Sequence, residues 1–315
     1  MTLSLEQALA RVPLWARATD IRTSSLGGGI TNQNFRVDVD GESFVLRIGG
    51  ENTELLGIDR RNEYAANRAA AEIGLAPQVV YFIEPEGYLV TRFLTARPLP
   101  RAEISRPENI HRVASALKKL HSLPFIPGAF SAFRTVESYV AIARRYGLNF
   151  PDNIDWLLAQ TVEIEAALLK APFTPRPCHN DLLNENWLDD GHIRLLDWEY
   201  AGMGDPAFDL ANFAVHHEFD DEQDQFLLEC YYGQPNAQSP TLRGVGKGEF
   251  RLRFARHKLM KIVSDCREAM WGMVQIGISK LPFDFRGYAD KHFRRMTTNL
   301  QDGRYSQWLK EFGER

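Results

Sequence analysis

The chain has 315 residues, long enough for two lobes or two domains, since a single core usually stops growing below that length. With 44% hydrophobic and 25% charged residues its composition is that of a globular protein, which excludes a disordered chain. A formal charge of -4 lacks the footprint of a nucleic-acid partner, and three cysteines without CxxC spacing exclude a disulfide framework and a structural zinc site.

The N-terminal stretch carries Glu6, Arg11 and Arg17 among its apolar residues and has no apolar run of signal-peptide or membrane-span length. A cytoplasmic protein without membrane insertion is therefore expected. Leu5, Leu9, Val12 and Leu14 predict a short amphipathic helix. Alternation with period two then predicts strands over Asp20–Leu26, Asn34–Val39 and Ser43–Ile48, the last two joined by the hairpin signal Asp40-Gly41. The Ala-rich run from Arg60 predicts a helix closed by Gly74, with Pro77 beyond it. Two more strands, Gln78–Ile83 and Tyr88–Phe93, flank the turn Pro85-Glu86-Gly87.

Beyond Arg97-Pro98 helices dominate, over Pro107–Leu123, Val136–Tyr146, Ile154–Leu169, Pro206–His217, Glu222–Tyr232, Phe250–Ile278 and Tyr288–Leu300. Gln234–Glu249, rich in Gly, Pro and Ser, reads as a loop. The expected division is a small sheet lobe over residues 1–94 and a larger, mainly helical lobe over 95–315, an α+β fold.

Chemistry concentrates in the run Pro177-Cys-His-Asn-Asp-Leu-Leu-Asn-Glu-Asn-Trp-Leu188, followed by the turn Asp189-Asp190-Gly191 and by His192-Ile-Arg-Leu-Leu-Asp-Trp-Glu-Tyr200. The turn folds two short extended segments into a hairpin. Asn186 then comes close to Asp197, with Asp181 on the loop that enters the hairpin. Phosphoryl transfer from ATP needs such a set: oxygen ligands for Mg²⁺ and a carboxylate that orients and deprotonates the attacking hydroxyl. Asp181 suits the base, and Asn186 and Asp197 suit the metal. The order matches that of protein kinases, with His179-Asn180-Asp181 in place of H-R-D and Asp197-Trp198-Glu199 in place of D-F-G. Phe44, Leu46 and Ile48 alternate onto the core, so Arg47 faces the cleft at the strand position where protein kinases carry a lysine. Glu63 stands where the partner glutamate of that lysine lies.

The strings H-N-D-x-x-x-x-N and L-D-W-E-Y, then Gly204-Asp205-Pro206-x-x-Asp209-Leu210-Ala211-Asn212, resemble choline/ethanolamine kinases within the aminoglycoside phosphotransferase-like superfamily. The resemblance runs by motif order from about Ser24 to Phe293. It implies a two-lobed protein-kinase-like fold with ATP between the lobes and adenine against Thr91–Leu94. The segment Leu26-Gly-Gly-Gly-Ile-Thr-Asn resembles the family's phosphate loop, which implies nucleotide contacts from Gly27, Gly28, Gly29, Thr31 and Asn32. It further implies bracing roles for His179 and Asp209.

For the acceptor, the resemblance implies contacts from Glu199 and from an aromatic group of Trp271, Phe283 and Tyr288, since ring faces attract a quaternary ammonium. The expected reaction is ATP-dependent phosphorylation of a small amino alcohol, foremost choline. Two departures, Glu268 where the family often has a second tryptophan and His216 where it has a carboxylate, keep ethanolamine open. An aminoglycoside-type antibiotic kinase is the same-class alternative, and a kinase-fold protein that only binds a ligand is the different-class one.

Overall fold

The computed structural model describes residues 3–27, 32–234 and 246–313. Helix α1 (Leu5–Ala10) starts at a capping box between Ser4 and Gln7 and ends earlier than the periodicity predicts. Val12 is extended before Pro13, which opens a separate short turn over Pro13–Trp15. Strands β1 (Ile21–Leu26), β2 (Asn32–Val39) and β3 (Glu42–Gly49) follow, and Asp40 and Gly41 both take positive φ in the hairpin. Helix α2 (Arg60–Glu72), capped by Asp59, is followed by β4 (Val79–Ile83) and β5 (Tyr88–Arg92). These strands form one antiparallel sheet in the order β1-β2-β3-β5-β4. Val37, Leu46, Ile83 and Val90 pack one face of it against Ala8, Val12 and Trp15.

The chain leaves the sheet through β6 (Arg97–Pro98) and α3 (Arg101–Ile104), a helix of one turn too short to register as a period. Helices α4 (Pro107–His121), α5 (Ala132–Arg145) and α6 (Ile154–Leu168) lead to β7 (Arg176–Cys178). The hairpin of β8 (Trp187–Asp189) and β9 (Ile193–Leu195) pairs with β6, and β10 (Gly202–Gly204) pairs with β7. Then come α7 (Pro206–His216), α8 (Asp221–Tyr232), α9 (Lys247–Ile278), α10 (Phe285–Leu300) and α11 (Tyr305–Lys310). Of the loop expected over 234–249, the last three residues already belong to α9, and 235–245 lie outside the described residues.

Helix α9 is the axis of the helical part. It is buried almost all round from Leu259 to Gln275, against α5, α7 and α10. Gly272 permits the close crossing with α10, because a Cβ there would stand 3.1 Å from the Phe285 carbonyl oxygen and from Ala289. Ala66 and Ala70 of α2 join a second core with Leu117, Trp187 and Phe213, so the helix that carries Glu63 is packed onto the hairpin side of the molecule. Among the described residues no helix is long and apolar enough to cross a membrane.

Candidate active site

The loop 179–182 between β7 and β8 is held from below by α7. Asp209 accepts the backbone N–H groups of His179 and Asn180 at 2.9 and 2.7 Å, and Asn212, one turn on, accepts that of Leu182 at 2.7 Å. His121 Nε2 approaches Asp209 Oδ2, the oxygen that accepts from His179, at 2.9 Å. Three backbone donors thus converge on two side chains with helical i, i+3 spacing, which accounts for the spacing of Asp209 and Asn212 in the sequence. The loop needs this support because Asn180 sits at φ 66, a left-handed conformation for a residue with a Cβ.

His179 braces the loop from inside. Its Nε2 donates to the Leu196 carbonyl at 2.9 Å, and its Nδ1 accepts from the Asp181 N–H at 3.3 Å. Burial pushes the imidazole down to about 4, more than the nearby Asp209 raises it, so the ring is neutral.

Asp181 emerges from this loop with Oδ1 held by Arg267 Nη1 at 3.1 Å. Its Oδ2 receives no hydrogen bond among the described residues. Asn186 donates its amide to the Asp181 backbone carbonyl at 2.9 Å, which fixes its orientation and turns Oδ1 outward. The hairpin bond from Leu196 N–H to the Asn186 carbonyl, 2.9 Å, sets Asn186 beside the start of the Asp197 turn. Asp197, at φ 62, leaves the strand direction and meets Arg47, whose Nη1 donates to Oδ1 at 2.7 Å. Oδ1 of Asn186 and Oδ2 of Asp197 are hard oxygen donors without a hydrogen-bond partner among the described residues, a set that fits Mg²⁺. Burial raises the Asp181 carboxyl to about 8 and the Asp197 carboxyl to about 6, with Arg267 and Arg47 respectively pulling the other way.

Arg47 is also ion-paired with Glu63, and Arg60 Nη1 reaches Glu63 at 2.8 Å and Glu199 at 3.1 Å. Asn32 joins this network, accepting from Arg60 Nη2 at 3.0 Å and donating to Glu199 Oε2 at 2.9 Å. Glu199 therefore sits with Asn32 and Arg60. Gly27 lies at the cleft, whereas Gly28, Gly29 and Thr31 lie outside the described residues. The cleft holds about 400 Å³ and is lined by Val45, Arg47, Leu89, the strip Thr91–Leu94, Asn186 and Asp197.

On the far side of Asp181, Trp271 and Tyr288 are in edge contact, centroids 5.4 Å apart, and Phe283 lies 6.1 Å from Tyr288 with 41% of its surface exposed. Phe285, not singled out in the sequence, stands 5.9 Å from Trp271. Trp271 donates to the Tyr200 hydroxyl at 3.2 Å. Arg60 and Arg267 were also missed. For Arg267 a signal existed: Asp265, Arg267 and Glu268 interrupt an otherwise apolar stretch of α9, and charges at buried helical positions need partners.

Residues 22–239 match the family described as "Phosphotransferase enzyme family". Protein LicA of Haemophilus influenzae is 30% identical over 252 residues, covering 78% of this chain and 70% of its own. Human ethanolamine kinase 2 is 27% identical over 306 residues, 90% of this chain and 77% of its own. Among solved structures, a choline/ethanolamine kinase family protein from Mesorhizobium loti superimposes with a TM-score of 0.79 at 30% identity, covering 96% of each chain. The choline kinase LicA of Streptococcus pneumoniae shares the fold, with a TM-score of 0.72 at 22% identity over 90% of this chain and 94% of its own.

Proposed function

The chain belongs to the choline/ethanolamine kinase family, a branch of small-molecule kinases that phosphorylate an alcohol, and we propose that it transfers the γ-phosphoryl group of ATP to the hydroxyl of a small amino alcohol in the cytoplasm. Choline, the acceptor expected from the sequence, and ethanolamine are the two candidates. Residues 1–94 serve as the nucleotide lobe and 95–315 as the catalytic and acceptor lobe.

The observation that carries this reading is the pair of faces on one short loop and hairpin. Asp197 and Asn186 line the 400 Å³ cleft, while Asp181, whose carbonyl holds the Asn186 amide, is linked through Arg267 and Glu268 to Tyr288. ATP would lie with its base along Thr91–Leu94 and its phosphates beside Gly27 and Asn32; Gly28, Gly29 and Thr31, the other phosphate contacts the resemblance implies, lie outside the described residues. Arg47, fixed by Glu63, donates to a phosphate oxygen. Asn186 and Asp197 would hold Mg²⁺, which when bound supplies charge neutralisation at the phosphates. Asp181 uses its open Oδ2 to accept the hydrogen of the acceptor hydroxyl and to align that oxygen with the γ-phosphorus, taking the proton as the new P–O bond forms and the bond from the γ-phosphorus to the bridging oxygen breaks, with ADP as the leaving group. Arg267 keeps the carboxylate from turning away.

An ATP-consumption screen over choline, ethanolamine, their partly methylated intermediates and several aminoglycosides tests the proposal. Turnover with at least one amino alcohol and none with aminoglycosides is expected. Turnover confined to aminoglycosides would transfer the chain to the antibiotic-kinase reading, and no turnover at all would favour a binding protein.

A further inference from the structure

Glu268 is the one acidic side chain that the buried part of α9 directs toward both Asp181 and the aromatic group. It is 1% exposed, and its two oxygens are unequally used. Oε1 accepts from Arg267 Nη1 at 2.6 Å and from Asn212 at 3.3 Å, with His216 Nε2 at 3.4 Å, whereas among the described residues Oε2 accepts only from the Tyr288 hydroxyl, at 2.7 Å. A carboxylate oxygen takes two donors, so Oε2 has room for one more. Although burial opposes it, the Arg267 charge holds Glu268 well below the usual carboxylate range, and the group is an anion.

We propose that Glu268 receives the ammonium group of the acceptor, so that this kinase selects amino alcohols whose nitrogen carries N–H over the quaternary ammonium of choline. The proposal rests on the amino-alcohol reading above and specifies its acceptor.

Three features support it. One carboxylate oxygen of Asp181, one of Glu268 and a ring nitrogen of His216 lie within 4.8 Å of one another. Two staggered carbons put the oxygen and nitrogen of a 2-amino alcohol about 3 to 4 Å apart, which lets one small molecule reach both carboxylates. Second, this group does not call for a metal ion: Arg267 already stands between the two carboxylates, at 3.1 Å from Asp181 and 2.6 Å from Glu268. Burial favours the protonated form of Asp181, but once it ionises, as its role as base requires, two carboxylates face one guanidinium and a monocationic acceptor balances the remaining charge. Third, the rings do not form facing walls. Trp271 and Tyr288 meet edge to face at 69°, packed on each other, and Tyr288 spends its hydroxyl on Glu268. A trimethylammonium group would lie against Oε2 without a donor to offer it, and a buried anion loses solvation without compensation there.

The test uses the full chain with saturating ATP and Mg²⁺. Wild-type kcat/KM is measured for ethanolamine, its N-methyl and N,N-dimethyl derivatives, and choline. The expected series falls along that order with its largest step at choline, where the last N–H is lost. Glu268→Gln is then expected to lower kcat/KM for ethanolamine roughly 10- to 100-fold, the worth of a charge-assisted hydrogen bond, and to change choline less than about threefold. A wild-type enzyme that prefers choline overturns the proposal and leaves the amino-alcohol reading standing, whereas no turnover with any of the four removes that reading itself. Equal losses for all four acceptors in Glu268→Gln also overturn the proposal, since Glu268 would then act on Asp181 through Arg267. Should the variant fail to fold, as judged by nucleotide-dependent thermal protection, the wild-type series decides alone.

Discussion

The Arg47–Glu63 pair gives the sharpest quantitative prediction, because each partner has a different second contact. Their side chains are 11% and 2% exposed, so this is a buried pair, and breaking such a pair from one side costs about 3 to 5 kcal/mol. Removing Arg47 leaves Glu63 still compensated by Arg60 at 2.8 Å, which should cut the loss of stability to about 1 to 2 kcal/mol. Removing Glu63 instead leaves two neighbouring guanidiniums to repel each other, with Asp197 and Glu199 as their remaining partners, and about 2 to 4 kcal/mol should be lost. Function should rank the other way. Arg47→Ala deletes a donor to phosphate and should raise the KM for ATP at least about tenfold, while Glu63→Ala, which only lets Arg47 wander, should raise it a few-fold. Urea unfolding and steady-state kinetics on both single variants and the double variant measure both orders. A coupling of about 1 to 3 kcal/mol is expected in the stability cycle. Strict additivity, or a larger KM effect from Glu63→Ala than from Arg47→Ala, would refute the reasoning.

Asp181→Asn should lower turnover by at least about 10² to 10⁴ while ATP binding measured by calorimetry persists, since the loop anchors at Asp209 and Asn212 are untouched. Near-normal turnover would remove Asp181 from the chemistry. Asp197→Ala should weaken nucleotide binding in the presence of Mg²⁺ far more than in its absence, and equal affinities under both conditions would assign the metal elsewhere. His179, lowered from 6.5 to about 4 by burial, should make stability depend on pH: its contribution is full above about 6.5 and is lost as pH falls toward 4, because the unfolded chain binds the proton first. That shift corresponds to about 3 kcal/mol, and urea midpoints that stay flat between pH 7 and 5 would contradict a buried neutral imidazole.

The sheet and the long helices were legible because they rest on period and punctuation. Asp40-Gly41 sets the β2–β3 turn with both residues at positive φ, and Gly74, also at positive φ, follows α2 as the sequence predicts. What escaped was structure of one turn or three residues, such as α3, α11 and the β7–β10 pair. Segments that short carry no period of their own. They exist because tertiary packing fixes their ends, as when Gly202 lies 3.3 Å, measured from its would-be Cβ, from the backbone of Ala129.

The site was legible where backbone geometry ties residues together and illegible where side chains cross between elements. Asn186 and Asp197 meet because a hairpin joins them, and Asp209 with Asn212 is readable as one helical turn. Arg267 and Asp181 are 86 positions apart, and no spacing rule links them. What the sequence did offer was a conflict, a cluster of Asp265, Arg267 and Glu268 in a stretch of α9, residues 262–274, whose other residues are almost all apolar. Each charge resolves it differently: Asp265 pairs with His292 and Arg295, Arg267 with Asp181, and Glu268 with Tyr288 and Arg267. Asp265 is satisfied wholly by neighbours on α10, which makes it structural. Arg267 instead reaches Asp181, a carboxylate with an open oxygen, and Glu268 is joined to it through Arg267. A buried charge therefore becomes informative about function when its partner is itself incompletely satisfied, and on α9 that criterion separates Glu268 from Asp265 although both are fully enclosed.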